Sequence, residues 1–303
     1  MGKIESLRNS ILVGICILMI AMTSIVFAES PQLLSAGTSG KVYVLSVGVN
    51  EYEYLPQLKA SVNNARLMGA VFNTSANAGE VTVLIDKEAS KSNILAVLQK
   101  YRNLIGSEDK LIFYYSGHGG QNTMYWQANH SNAGRYNWRD ENVYDETIMP
   151  YDSTYDKKNQ VTSTELSNIL KAFSTNKVTI IVDNAYSLNN AQQGFASFQE
   201  AKVVRRPRLS IRDLNMYGYN VLTGADWTET AYTGIFEGEI RGVFTHFLAQ
   251  GIKSQAADSK KDGLFTVNEI YEYARSNAVQ YIGIQHPQIN RGRDPNMIVW
   301  ERH

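Results

Sequence analysis

Apolar residues follow two rhythms along this chain. Continuous apolar runs cover Val42–Val49, Val81–Ile85, Leu111–Tyr115 and Val178–Val182, with a shorter run at Asn220–Thr223. Between them, apolar residues recur three or four positions apart: Val62, Ala65, Met68 and Phe72, then Ile94, Leu98 and Tyr101. The first rhythm predicts strands buried on both faces, and the second predicts helices with one buried stripe. The predicted helices are Ser61–Phe72, a helix capped by Ser90 that runs to Leu104, Val243–Ile252, and two opened by capping residues. Thr162 with Glu165 has capping-box spacing and opens a helix through Phe173. Thr266 with Glu269 does the same for a helix to about Gln280. Met297–Trp300 is a candidate last strand. Residues 121–160 and 189–219 show neither rhythm and read as irregular insertions.

Strands alternating with helices predict an α/β fold with a parallel sheet covered on both faces. In such sheets, sites form in the loops beyond the carboxyl ends of the strands. Two of those loops stand out. Tyr115-Ser116-Gly117-His118-Gly119-Gly120 follows one strand, and Val182-Asp183-Asn184-Ala185-Tyr186-Ser187-Leu188 follows another. A histidine in the first and a thiol in the second make a cysteine-peptidase dyad, in which the histidine deprotonates the sulfur. Here the histidine is present, and position 185 holds alanine.

The chain has 303 residues, 44% of them hydrophobic, and a formal net charge of +0. That length builds one large α/β core. The balanced charge gives no electrostatic reason to expect a nucleic-acid partner. Residues 1–28 differ from the rest: Lys3 and Arg8 precede an uncharged apolar run, Ile11–Ala28, that ends in Val26-Phe27-Ala28. This predicts a secretory signal cut after Ala28, with an uncleaved membrane anchor as the alternative. Export to a periplasmic or extracellular compartment follows, and contact with a membrane only if the segment stays. Residues 29–40 read as a Ser/Gly-rich linker, and residues 41–303 as the folded domain. Cys16, inside the apolar run, is the only cysteine. A chain cut after Ala28 therefore carries neither a disulfide nor a thiolate.

Taken together, the motifs resemble the caspase-like peptidases, closest to the metacaspase and bacterial caspase-homologue branch (peptidase C14-like). Besides the two loops, Asp145–Asp152 resembles the family's acidic-Pro-Asp segment. Leu222–Ala225 and Gly242–Leu248 resemble its small-subunit half. The resemblance implies a three-layer α/β/α sandwich with a mostly parallel sheet of about six strands. It makes His118 the general base, the Gly119 N–H an oxyanion donor, and Ala185 the lost nucleophile position. Asp183 matches an acid that binds a basic side chain of the substrate. Asn64 stands where members usually have a second acid, and Leu188 replaces the glycine that closes the nucleophile turn.

Three departures at one place favour a site that has changed as a unit. The leading expectation is a pseudopeptidase that binds a peptide or a partner protein. The alternatives are an Arg/Lys-specific cysteine endopeptidase seen as an inactive variant, with Ala185 in place of its cysteine, and a structural envelope protein. Ser187, two residues on, starts several Å from the thiol position, too far for a replacement nucleophile. Arg205-Arg206-Pro207-Arg208 lies where active relatives are cut during maturation.

No zinc-ligand spacing or phosphate loop is present, and no cofactor is expected. One segment leaves calcium open. Asp258, Asp262, Gly263 and Glu269 fall at EF-hand spacing, but Lys260 stands where a third oxygen ligand belongs. The alternative there is a glycine turn and a capping box.

Overall fold

Six strands form the central sheet of the computed structural model, in the edge-to-edge order Gln288–Asn290, Asn220–Thr223, Val178–Val182, Lys110–Ser116, Val42–Gly48 and Ala78–Ile85. The structure describes residues 40–123, 144–183, 218–226 and 229–303, with side chains at 121–123, 144 and 145 left aside. Strands β1 (Val42–Gly48), β2 (Ala78–Ile85), β3 (Lys110–Ser116), β7 (Val178–Val182) and β8 (Asn220–Thr223) are mutually parallel. The short edge strand β12 (Gln288–Asn290) runs antiparallel to β8. The expected fold is therefore the observed one: α/β, mostly parallel, six-stranded, with helices on both faces.

The pleat sorts the core into two layers. In β3, Ile112 and Tyr114 face one layer, while Leu111, Phe113 and Tyr115 face the other. The first layer is covered by α1 (Ser61–Asn73), α4 (Val243–Lys253) and α5 (Val267–Ile282). The second is covered by α2 (Lys91–Leu104) and α3 (Ser163–Leu170). All five of these β3 side chains are fully buried. Burying a large apolar side chain is worth about 1.5–3 kcal/mol, so both layers contribute to holding this strand.

The caps behave as the side-chain chemistry requires, with one exception. Ser90 Oγ accepts from Asn93 N at the start of α2. Thr266 and Glu269 form the full reciprocal capping box at α5, which ends at Gly283 with φ 72. At α3, Thr162 Oγ1 accepts from Glu165 N at 3.0 Å, but the Glu165 carboxylate turns away to Lys91 Nζ at 2.8 Å. Half of the expected box is thus replaced by an ion pair between α2 and α3. The same helix stops at Leu170 rather than Phe173.

Residues 121–160 are not wholly irregular. Strands β4 (Gly119–Thr123), β5 (Tyr144–Ile148) and β6 (Val161–Thr162) form a small antiparallel sheet. Its strands are short, and β4 begins with two glycines, which carry little strand propensity. A hairpin precedes α4, with β9 (Thr233–Phe236) and β10 (Glu239–Gly242) joined by Glu237 and Gly238. Both turn residues have positive φ, 53 and 83, as the favoured two-residue hairpin turn requires. The last strand, β13 (Ile298–Glu301), pairs with β11 (Leu264–Thr266) and not with the main sheet. Among the described residues, no helix is long and apolar enough to cross a membrane.

Candidate functional site

Four parallel strands end in register along the carboxyl edge of the sheet. Gly48 pairs with Ser116, Tyr115 with Val182, and Val182 with Thr223. The backbone ladder continues one step further, with Asp183 N donating to Tyr115 O and Gly224 N to Val182 O, both at 2.9 Å. This alignment brings Ser116, Asp183 and Gly224 side by side and leaves His118 two residues past Ser116.

Asp183 is 5% exposed and has no ion pair among the described residues. Its Oδ2 accepts from Thr245 Oγ1 at 2.5 Å and from Thr245 N at 3.3 Å. The Tyr114 hydroxyl lies 2.6 Å from Thr245 Oγ1. Because the threonine proton is spent on the carboxylate, Tyr114 donates to Thr245. Burial pushes the Asp183 carboxyl up to about 6, against the downward pull of the two Thr245 bonds. Two glycines make room for it. A Cβ on Gly224 would lie 2.3 Å from Asp183 Oδ1, and one on Gly242 would lie 2.2 Å from Oδ2.

Asn64 joins the same cluster and is hydrogen-bonded at both ends of its amide. Its Nδ2 donates to Ser116 Oγ at 3.1 Å, and Ser116 Oγ donates to the Asp183 carbonyl at 3.0 Å. Its Oδ1 accepts from Gly242 N at 2.8 Å. A carboxylate at position 64 has no proton to give Ser116 Oγ, so the amide fits this network where an acid does not.

His118 is fully buried and held on three sides. Its backbone N–H donates to the Tyr52 hydroxyl at 2.6 Å, and its carbonyl accepts from the Tyr115 hydroxyl at 2.7 Å. Its ring lies 4.8 Å from the Tyr52 ring, centroid to centroid. Nε2 is 2.8 Å from the Pro56 carbonyl. A carbonyl only accepts, so Nε2 carries the proton in the neutral ring and Nδ1 carries the basic lone pair. Gly117 permits this packing, since a Cβ there would meet the Tyr115 and Tyr52 hydroxyls at 2.4 and 2.5 Å.

Of the residues expected from the sequence, Asn64 and Asp183 are linked through Ser116, and His118 stands beside them on its own supports. Gly119 opens β4 and pairs with Ile148. Ala185, Ser187, Leu188 and Arg205–Arg208 lie outside the described residues. Residues 1–28 and 29–39 do as well. Thr245, Tyr114, Tyr52, Gly224 and Gly242 were not singled out from the sequence. Thr245 sits inside the Gly242–Leu248 motif, but its hydroxyl becomes informative only in the fold, where α4 points it at Asp183.

The EF-hand-like segment is occupied by its own backbone. Asp258 Oδ1 accepts from Asp262 N, and Oδ2 accepts from Gly263 N at 2.9 Å and from Arg302 Nη2 at 3.4 Å. Asp262 Oδ1 accepts from Leu264 N at 2.9 Å. Glu269 Oε2 accepts from Thr266 N and Oγ1, and Oε1 from Ser259 Oγ. These carboxylates therefore serve a turn and a cap.

Comparison with known proteins agrees with this architecture. The family described as "Metacaspase, peptidase C14 domain" matches residues 44–192. Metacaspase-1 of Coccidioides immitis (strain RS) is 28% identical over 122 residues, which is 38% of this chain and 24% of that protein. The chain thus matches about a quarter of that relative's length. The crystal structure of a protein from Geobacter sulfurreducens superposes with a TM-score of 0.54 at 17% identity, covering 87% of this chain and 97% of its own. That likeness is one of fold. Residues 44–192, just under half of the chain, are thus similar to the metacaspase, peptidase C14 domain family of caspase-like domains.

Proposed function

We propose that this chain is an exported caspase-like domain that binds a peptide or protein segment and does not cleave it. The observation that carries this reading is the absence of any cysteine after Cys16, together with alanine at position 185. His118 would be the surviving base, Ala185 the lost nucleophile position and Gly119 the oxyanion donor, but the chain after Cys16 has no thiol to attack a carbonyl. Asp183 supports the binding half. It is a buried carboxylate with no cation beside it among the described residues, and a ligand ammonium or guanidinium would neutralise it. Asn64, uncharged and hydrogen-bonded at both ends of its amide, adds no second charge, so the preference for Arg or Lys is weaker than two acids would give.

The tautomer of His118 favours a second reading, that of an Arg/Lys endopeptidase whose native cysteine is replaced by Ala185. With Nε2–H committed to Pro56 O, Nδ1 is already set as the base. One experiment separates the two. The unaltered chain and Ala185→Cys are assayed on peptides with Arg, Lys or Asp before the scissile bond. The binding reading expects no turnover by the unaltered protein, micromolar-to-millimolar binding of Arg- or Lys-containing peptides, and no activity in Ala185→Cys. Restored cleavage in Ala185→Cys supports the second reading. Cleavage by the unaltered chain that His118→Ala abolishes refutes the first.

A further inference from the structure

The loop from Val49 to Ala60 touches His118 at both its backbone and its ring. Tyr52 takes the backbone N–H at 2.6 Å, and Pro56, four residues later, takes Nε2–H at 2.8 Å. The loop itself is fixed at its base. Asp86 Oδ1 accepts from Asn50 N and Glu51 N at 2.7 and 2.8 Å. Asn50 Oδ1 accepts from Ser61 N and Val62 N at 2.9 and 3.3 Å, capping α1, whose adjoining residue Ala60 has no capping side chain. Tyr52 and Pro56 are therefore two arms of one anchored piece.

The two hydroxyls and His118 also form one connected hydrogen-bonded cluster. Tyr115 has one hydroxyl proton and two carbonyls within 2.7 Å, His118 O and Met149 O, while its oxygen accepts from Met149 N. The Tyr52 oxygen is filled by the His118 N–H, and its own proton has the Tyr115 oxygen 3.3 Å away. Tyr115 therefore shares one proton between two carbonyls, while the Tyr52 oxygen takes the His118 N–H directly.

We propose that Tyr52 is a positioning residue for His118, fixing through the His118 backbone N–H the ring orientation that puts Nε2–H on Pro56 O and leaves Nδ1 as the base. This rests on the reading of His118 as the base of the site. Without the Tyr52 hydroxyl, the ring stays buried and the His118 carbonyl keeps its contacts with the Tyr115 hydroxyl and the Met149 N–H, but the amide side of the residue loses the Tyr52 contact and can tilt. The hydrogen bond to Pro56 then loses its fixed angle, and both ring tautomers become populated.

The test uses the full chain with 15N-labelled histidine. In the unaltered protein, His118 is expected to show one tautomer, protonated at Nε2, with that proton slow to exchange. Tyr52→Phe is expected to show both tautomers and at least tenfold faster exchange. Retention of a single tautomer with exchange within twofold overturns the proposal. Tyr101→Phe is the control, because it removes another buried hydroxyl from the same layer. If it disturbs His118 as much as Tyr52→Phe does, the effect is general softening and the proposal is also overturned. The parent reading has its own readout, the pH profile of thiol alkylation in Ala185→Cys. If His118→Ala leaves that profile unchanged, His118 is no base toward position 185, whatever the tautomer result.

Discussion

Replacing Asp183 with asparagine tests the central electrostatic feature. The carboxyl has an ordinary value of 3.8 and is pushed up to about 6 by burial in the folded chain. At 1.36 kcal/mol per unit, the difference of about two units corresponds to roughly 3 kcal/mol. The sign follows from proton counts. Between pH 4 and pH 6 the folded chain holds a proton on Asp183 that the unfolded chain has released. Stability therefore falls as pH rises through this window, and the penalty is complete above about pH 6. Asparagine keeps an oxygen for the Thr245 N–H and hydroxyl but does not titrate. Urea unfolding of both proteins at half-unit steps from pH 4 to pH 8 cancels the other carboxylates, which are common to the pair. The stability of Asp183→Asn minus that of the unaltered chain should rise by about 3 kcal/mol between pH 4 and pH 7. A difference constant to within about 1 kcal/mol would refute the burial argument. The same comparison with an Arg-containing peptide at saturation should flatten the curve if the ligand neutralises Asp183.

Other consequences are quicker to check. Gly242→Ala places a methyl 2.2 Å from Asp183 Oδ2, and overpacking should lower stability by about 1–3 kcal/mol in a denaturant titration. Asn64→Asp removes the donor to Ser116 and adds a second carboxylate beside Asp183. Its melting temperature should drop at pH 8 and recover on acidification, and an unchanged value at pH 8 would mean the network around Ser116 is slack. Glu269→Ala breaks the α5 capping box and should lower stability by about 0.5–2 kcal/mol. Millimolar calcium should leave the melting temperature of the unaltered chain where it is; a rise of several degrees would show that Asp258 and Glu269 leave their backbone partners for the ion.

The sheet was legible because its strands are apolar on both faces, and few other structures accommodate such runs. Val42–Gly48 and Val178–Val182 illustrate this to within a residue. The small strands were not. Gly119-Gly120 and Gln288–Asn290 carry no apolar rhythm and are strands only because a partner lies beside them. The hairpin at Glu237-Gly238 lacks the Asn or Asp that usually marks such a turn. The site divides the same way. His118 and Asp183 were visible as polar residues directly after buried strands. Asn64 was seen as a missing charge, and the structure shows it as an amide used at both ends. Thr245 and Tyr52 come from other stretches of chain, and only folding reveals what their hydroxyls meet.

Tyr114 and Tyr115 are neighbours in sequence, yet the pleat sends them into opposite layers. One leads through Thr245 to Asp183, and the other grips the His118 carbonyl. Both are also fully buried core residues. Slipping β3 by one position would send each tyrosine into the other layer and break both sets of contacts at once. Selection for folding alone thus maintains much of the frame around the histidine and the acid. An intact frame around His118 and Asp183 is then weak evidence for or against chemistry at the site, because folding requires the same side chains.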